Sequence, residues 1–178
     1  LRPSARYPTL ELRICDACTR LADSIAIASL YRCLVRLLVR RPELAPPWTP
    51  FTRRLIDENR WRAKRFGIDA EFIALDGGNP VSCRDAVAQL VSAVEEDAEA
   101  LRCTQRLGRV RALMAEGTSA HLQLAIYRSR RARGDAPLEA LRFVVDWLVA
   151  ATITEPEAKL EADAAGSARS APALAPGV

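Results

Sequence analysis

Periodicity is what most constrains this chain. One short stretch, PTLELRICD at residues 8–16, alternates with period two, while most of the chain beyond it repeats with helical spacing. In it Leu10, Leu12 and Ile14 fall on one side, and Thr9, Glu11, Arg13 and Cys15 on the other. Residues 9–15 therefore read as a strand. A lone amphipathic strand is not stable by itself. It must pair with residues 70–75, AEFIAL, the other strand-like run, or with strands upstream of this sequence.

The helical segments are set by caps and stops. Thr19 is placed to cap a helix over about 20–41, with Leu21, Ile25, Ala28, Tyr31, Leu34, Val35 and Leu38 as its apolar positions and Pro42 as its stop. That helix should be largely buried. Four prolines make 42–50 a loop. A second helix spans about 51–66, and Gly67 ends it. DGGNP is a turn, and SCRD reads as a cap with an acid three residues on. A helix over about 83–102 carries Val87, Leu90, Val91, Val94, Ala98 and Leu101 on one stripe. Further helices are read over 104–115 and from Thr118 or Ser119 to Arg133. A last one starts near Pro137 and carries Leu138, Leu141, Val144, Val145 and Leu148. From about Thr154 the composition turns to Ala, Pro, Gly, Ser and Glu, and 154–178 reads as a disordered tail. No internal repeat is visible.

Composition narrows the class. A chain of 178 residues, 49% hydrophobic, can build one domain with a core, or part of a larger one. It begins with Leu, already in a loop leading to the strand, which suggests a piece of a longer protein. The formal net charge of +4 fits nucleic acid, membrane surfaces or anionic small molecules without choosing among them. The most apolar run, 21–39, is interrupted by Asp23, Arg32 and Arg36, so no span is expected. Five scattered cysteines argue against a disulfide framework and read as reduced, mostly buried thiols of a cytoplasmic protein. Cys15 and Cys18 form C-x-x-C, but no second pair or nearby His completes a zinc site.

Three groups of side chains carry possible chemistry. Glu11 and Arg13, two apart on a strand, share a face. A carboxylate there can ligate Mg²⁺, and an Arg fork matches phosphate oxygens. On DENRWRAKRFG, residues 57–67, Asn59, Arg60 or Arg62 can face an anion. The plainer reading is a solvated helix on which Glu58 pairs with Arg54 and Arg62, with Trp61 and Phe66 as core anchors. The stripe Arg32, Arg36, Arg40 and the cluster Arg128, Arg130, Arg131, Arg133 read as solvated faces. The one histidine, His121, has no catalytic partners in sequence and reads as a surface or boundary residue. There is no phosphate-binding glycine loop of either common type.

Five segments taken together resemble a known family. RPSARYPTLELRICD, ENRWRAKRFGID, EDAEALRC, GTSAHLQLAIY and EALRFVVDWL are similar, in order, to the C-terminal half of the carboxylate–amine ligases, the bacterial type 2 glutamate–cysteine ligase-like proteins. The resemblance covers about residues 1–152. It implies an α+β chain, predominantly helical here, forming the C-terminal part of a glutamine-synthetase-like fold whose antiparallel sheet holds Mg²⁺ and ATP. Residues 1–153 would be that portion of the catalytic domain. The implied reaction phosphorylates a carboxylate, typically the glutamate side chain, and an amine such as cysteine then displaces phosphate.

By the same resemblance Glu11 is the metal ligand and Arg13 the phosphate-binding catalytic residue. Arg2, Arg6, Asn59 and Arg62 are further ATP- or substrate-binding candidates. Two departures stand out. The N-terminal half, with its other acidic metal-binding strands, is absent, so the chain alone is expected to be inactive. His121 also stands where an acid is expected. The partners implied are ATP, glutamate or a similar carboxylate, a small amine and the missing half of the same protein; no membrane is implied, and a homo-oligomer is left open. Two other readings stay open: a basic helical module binding nucleic acid or protein, and a degenerate ligase kept as scaffold.

Overall fold

Small side chains decide how the longest helix packs. In the computed structural model, which describes residues 2–153 apart from Pro46, Asp76 and the Arg2 side chain, α1 spans Leu21–Arg40. It buries Asp23, Ala26, Ser29, Cys33 and Leu37. Ala, Ser and Cys let a neighbouring helix approach closely. The face expected to be buried is not the one that is. Leu21, Ala28 and Leu38 are exposed, and Ile25, Tyr31, Leu34 and Val35 are only half-buried. The smaller residues go inward because they meet two helices at once, α4 (Glu95–Ala100) and α5 (Thr104–Glu116).

Around α1 the core closes with Val91, Val94, Ala98, Cys103, Leu107 and Val110. The run read as one helix over 83–102 is broken. α3 spans Cys83–Ala93, and Val94 leaves helical geometry before α4 begins. No Gly or Pro stands there. The break puts Glu95, Glu96 and Asp97 in the first turn of a new helix, where the helix dipole favours acids. The Ser82 cap is as read: its hydroxyl accepts from the Asp85 N–H at 3.0 Å.

α2, Pro50–Phe66, also obeys its local signals. Thr49 caps it by accepting from Thr52 N–H, Pro50 opens it, and Gly67 closes it at φ +60°. Trp61 and Phe66 meet edge to face, 5.9 Å apart, but both are half-exposed and anchor no core. Thr19 does not cap α1; Arg20 stands at the cap position. The Thr19 hydroxyl instead meets Ser119 Oγ at 2.6 Å, joining the start of α1 to α6 (Ser119–Ala132).

The strands are shorter than the alternation predicts. β1 (Arg2–Pro3) and β2 (Leu10–Glu11) form one antiparallel pair, with Arg2 opposite Glu11. β3 (Glu71–Phe72) and β4 (Val81–Ser82) form another across the DGGNP turn. The 9–15 run therefore does not pair with 70–75. Past Glu11 it has no ladder partner among the described residues, and two of its three apolar residues stay in solvent: Leu10 is 49% and Ile14 62% exposed, while Leu12 is half-buried.

α6 and α7 (Pro137–Ile153) pack on each other as a hairpin. Arg130 pairs with Asp135 at its turn and lies 3.4 Å over the Phe143 ring. α7 buries Ala140 and Val144, while Leu138, Leu141 and Val145 of the expected stripe are exposed. The chain is α+β and predominantly helical. No described helix is long and apolar enough to cross a membrane. The tail read over 154–178 lies outside the described residues.

Candidate functional site

The turn that brings β2 back along β1 sets out the first candidate site. Glu11 and Arg13 do share a side of the chain, and they hold each other: Arg13 Nε donates to Glu11 Oε2 at 2.8 Å. The pair is solvent-accessible and lies at the open end of the β1–β2 hairpin. Arg6 sits in the loop at the other end, its guanidinium 5.5 Å from the ring of its neighbour Tyr7. The Arg2 side chain lies outside the described residues, though its backbone pairs opposite Glu11.

Asn59 and Arg62 are engaged with backbone. Asn59 Nδ2 donates to Ile73 O and its Oδ1 accepts from Ile73 N–H, both at 2.8 Å. The amide thereby continues the β3 ladder onto α2. Arg62 Nε donates to Glu58 Oε1 at 2.8 Å and Nη1 to the Glu71 carbonyl at 3.2 Å. Both side chains fasten β3 to α2. Asn59 also lines a cleft of about 640 Å³, together with Arg60 and Lys64 from α2, Ile14 and Asp16 from the segment after β2, and Phe72 from β3. The sequence points to Arg60 as an anion-facing candidate. It does not single out Lys64 or Asp16, although Arg60, Ala63, Lys64 and Gly67 recur at i, i+3, i+4 and i+7, one helix face.

At the cleft rim a polar chain ties three elements. His121 Nδ1 accepts from Thr118 N–H at 3.4 Å and lies 2.9 Å from Thr118 Oγ1. That leaves Nε2 as the proton-bearing atom facing Asp69 Oδ2 at 3.4 Å. Arg84, with His121 behind it, holds the Asp69 carboxyl below the usual range. Gly117 accommodates the histidine, because a Cβ there would lie 3.2 Å from His121 Cβ and its φ is +95°. The histidine is a boundary residue, as read, that completes the start of α6.

Of the arginines read as solvated, Arg32, Arg128 and Arg133 are exposed as read, while Arg36, Arg40, Arg130 and Arg131 are engaged. Arg36 and Arg40 both bind Asp97, which is fully buried; Arg40 Nη2 reaches Oδ2 at 3.1 Å. Arg131 donates to the Asp135 carbonyl at 2.5 Å, beside the Arg130–Asp135 pair. These guanidiniums hold the fold together and do not gather as an open face for nucleic acid, which would want free cations interleaved with aromatics.

The thiols are all free. Cys33, Cys83 and Cys103 are buried, in line with the mostly buried reading, while Cys18 is half-buried and Cys15 exposed. Cys33 and Cys103 meet at 3.5 Å inside the core, and burial, then the Cys103 thiol, pushes Cys33 up to about 12. Among the described residues no group of three His, Cys, Asp or Glu side chains can hold a metal. Glu11 offers one hard oxygen donor, so these residues alone do not make a Mg²⁺ site.

Residues 1–145 match the family model for glutamate–cysteine ligase family 2. Relatives carrying the name "Putative glutamate--cysteine ligase 2" include one from Rhodospirillum rubrum, 42% identical over 164 residues, 92% of this chain and 41% of the relative. Another, from Bradyrhizobium diazoefficiens, is 40% identical over 154 residues, 86% and 34% of the two chains. A third, from Pseudomonas entomophila, is 43% identical over 152 residues, 84% and 39%. The chain thus spans about two-fifths of the length of the curated relatives it matches.

Proposed function

Since the chain belongs to glutamate–cysteine ligase family 2, we propose that it is the C-terminal portion of an ATP-dependent carboxylate–amine ligase with a glutamine-synthetase-like catalytic fold. The observation that carries this reading is the Glu11–Arg13 pair at the open end of a sheet fragment. The pair is solvent-accessible, and two of the three apolar residues of its strand, Leu10 and Ile14, are exposed. A sheet completed by the rest of a longer protein would cover those two residues and enclose the pair.

In the proposed reaction the γ-phosphoryl group of ATP passes to a carboxylate oxygen, releasing ADP. The amine nitrogen then attacks the carbonyl carbon, loses a proton, and expels inorganic phosphate. Arg13 neutralises the non-bridging phosphoryl oxygens with its planar fork. Glu11 orients that fork, and its carboxylate would hold a nucleotide-bound Mg²⁺ through one oxygen, since the described residues offer no group of three donors to hold the ion alone. Mg²⁺ would supply further charge neutralisation when bound. Asn59 and Arg62 act by position, fixing β3 against α2.

The test is ADP release by the full-length protein with Mg·ATP and glutamate, with the amine varied. Wild type releases ADP in an amine-dependent way, and Glu11→Gln lowers the rate about 100-fold with an unchanged melting temperature. Turnover of Glu11→Gln near the wild-type rate would remove Glu11 from the site.

A further inference from the structure

α7 is apolar on two sides, and the fold uses one of them. Ala140 and Val144 are its buried residues, and α6 is the element it packs on. Leu138, Leu141, Val145 and Val149 recur three and four positions apart and fall within about 80° of one another around the helix, turned away from that buried side. All four are exposed, Leu138 at 66% and Val145 at 56%. Leu148 is half-buried at the edge between the two sides, and Thr152 continues the stripe. A helix apolar all round is ordinarily buried, and a contiguous apolar patch left in water marks an interaction surface. The hairpin also needs such cover. No residue of α6 is fully buried, and the hairpin meets the rest of the chain through polar contacts such as Thr19–Ser119 and His121–Asp69.

The charges beside the stripe decide what covers it. Arg142 and Asp146 stand one turn apart along one edge, both exposed, and neither joins an ion pair among the described residues. An apolar seam flanked by one cation and one anion is its own complement when turned through a two-fold axis. With the helices antiparallel and the axis beside Val145, Val145 meets its own copy, Leu141 meets Val149, and Leu138 meets Thr152. The two charged edges then lie on the same side of the seam. Arg142 comes level with Asp146 of the second copy to about 3 Å along the helix axis, and the reverse pair forms by symmetry. A parallel pair would put the charged edges on opposite sides and leave all four charges unmatched. We infer that α7 is a self-association surface, on which a second copy of this chain docks antiparallel through Leu138, Leu141, Val145 and Val149, with Arg142 and Asp146 in reciprocal ion pairs. The inference does not depend on the ligase chemistry.

The test uses the full-length protein. Sedimentation velocity over a range of concentrations should show a reversible monomer–dimer equilibrium. Arg142→Glu or Asp146→Lys alone sets like charges across the two-fold axis and weakens that equilibrium about tenfold. An equimolar mixture of the two variants restores opposite charges at both contacts and returns association to the wild-type level as a heterodimer. A charge needed only for the fold of α7 would give no such rescue. Val145→Cys, in a Cys15→Ser background, forms a covalent dimer when dissolved oxygen and copper phenanthroline take two electrons and two protons from the thiol pair; the background alone does not. Circular dichroism verifies that the variants, all at exposed positions, keep wild-type helix content.

The assignment is overturned if the full-length protein stays monomeric, if its dimer is indifferent to both charge variants, if their mixture stays as weak as its components, or if Val145→Cys does not crosslink. A Val145→Cys thiol that also resists a maleimide would mean that the rest of the longer protein covers the stripe. ADP release is read separately. Turnover by a monomer removes this surface and leaves the ligase reading standing; association without turnover does the reverse.

Discussion

At the residue scale the most consequential group is Asp97. It is fully buried, yet it is held by two guanidiniums that reach solvent at their far ends. Nothing in the sequence near Arg36 and Arg40 announces this, because Asp97 lies 61 and 57 positions away. A stripe of arginines four apart looks the same whether it faces water or one buried acid. Arg40, and then Arg36, hold the Asp97 carboxyl below its ordinary value against the opposing effect of burial. A carboxyl whose value is depressed on folding stabilises the fold above its unfolded value, about 3.9, and that stabilisation fades as the pH falls through the folded value. Asp97→Asn should cost about 3 kcal/mol at pH 7 in urea unfolding, the low end for a broken buried pair because both arginines can turn to water. The difference between variant and wild type should shrink as the pH is lowered below about 4.

Among elements, what could be read from the sequence divides by how local its cause is. Helices α1, α2 and α5 begin and end within a residue or two of where caps, prolines and glycines put them, and α7 begins at Pro137 as read. Strands depend on a neighbour, and the alternating run 9–15 keeps ladder geometry only where Arg2–Pro3 lies beside it. Asn59 is the instructive case. The sequence points it toward a ligand, and the fold gives both ends of its amide to Ile73. Asn59→Ala should leave a half-buried N–H and C=O without that partner. The Ile73 amide should then exchange with deuterium about tenfold faster, while the amides of Leu107 and Val110 in α5 keep their protection. Equal acceleration everywhere would mean that Asn59 supports the whole fold and not the β3 seam.

On the scale of the whole molecule, apolar burial is uneven. The α1–α5 cluster holds the core, whereas no residue of α6 is fully buried. The hairpin meets the rest of the chain through polar contacts such as Thr19–Ser119 and His121–Asp69. Hydrogen exchange should therefore show α6 and α7 opening at lower free energy than α1 and α5. Protection of α6 equal to that of α1 would show a single cooperative unit. The candidate site is legible only in part for the same reason: Glu11, Arg13 and Asn59 are named by pattern, but which of them faces a ligand depends on what stands across from them.

The two charge contacts along α1 have a mechanical sense. Asp23 is tied to Arg109 at 2.5 Å near one end, and Arg36 and Arg40 are tied to Asp97 near the other. A rod pinned once can swivel about the pin; a rod pinned twice can neither slide nor roll. The segment bearing Asp16 leads directly into that rod, and Thr19 at the junction is itself moored to Ser119. The attitude of one cleft wall is therefore governed through a helix, by ion pairs that do not line the cleft.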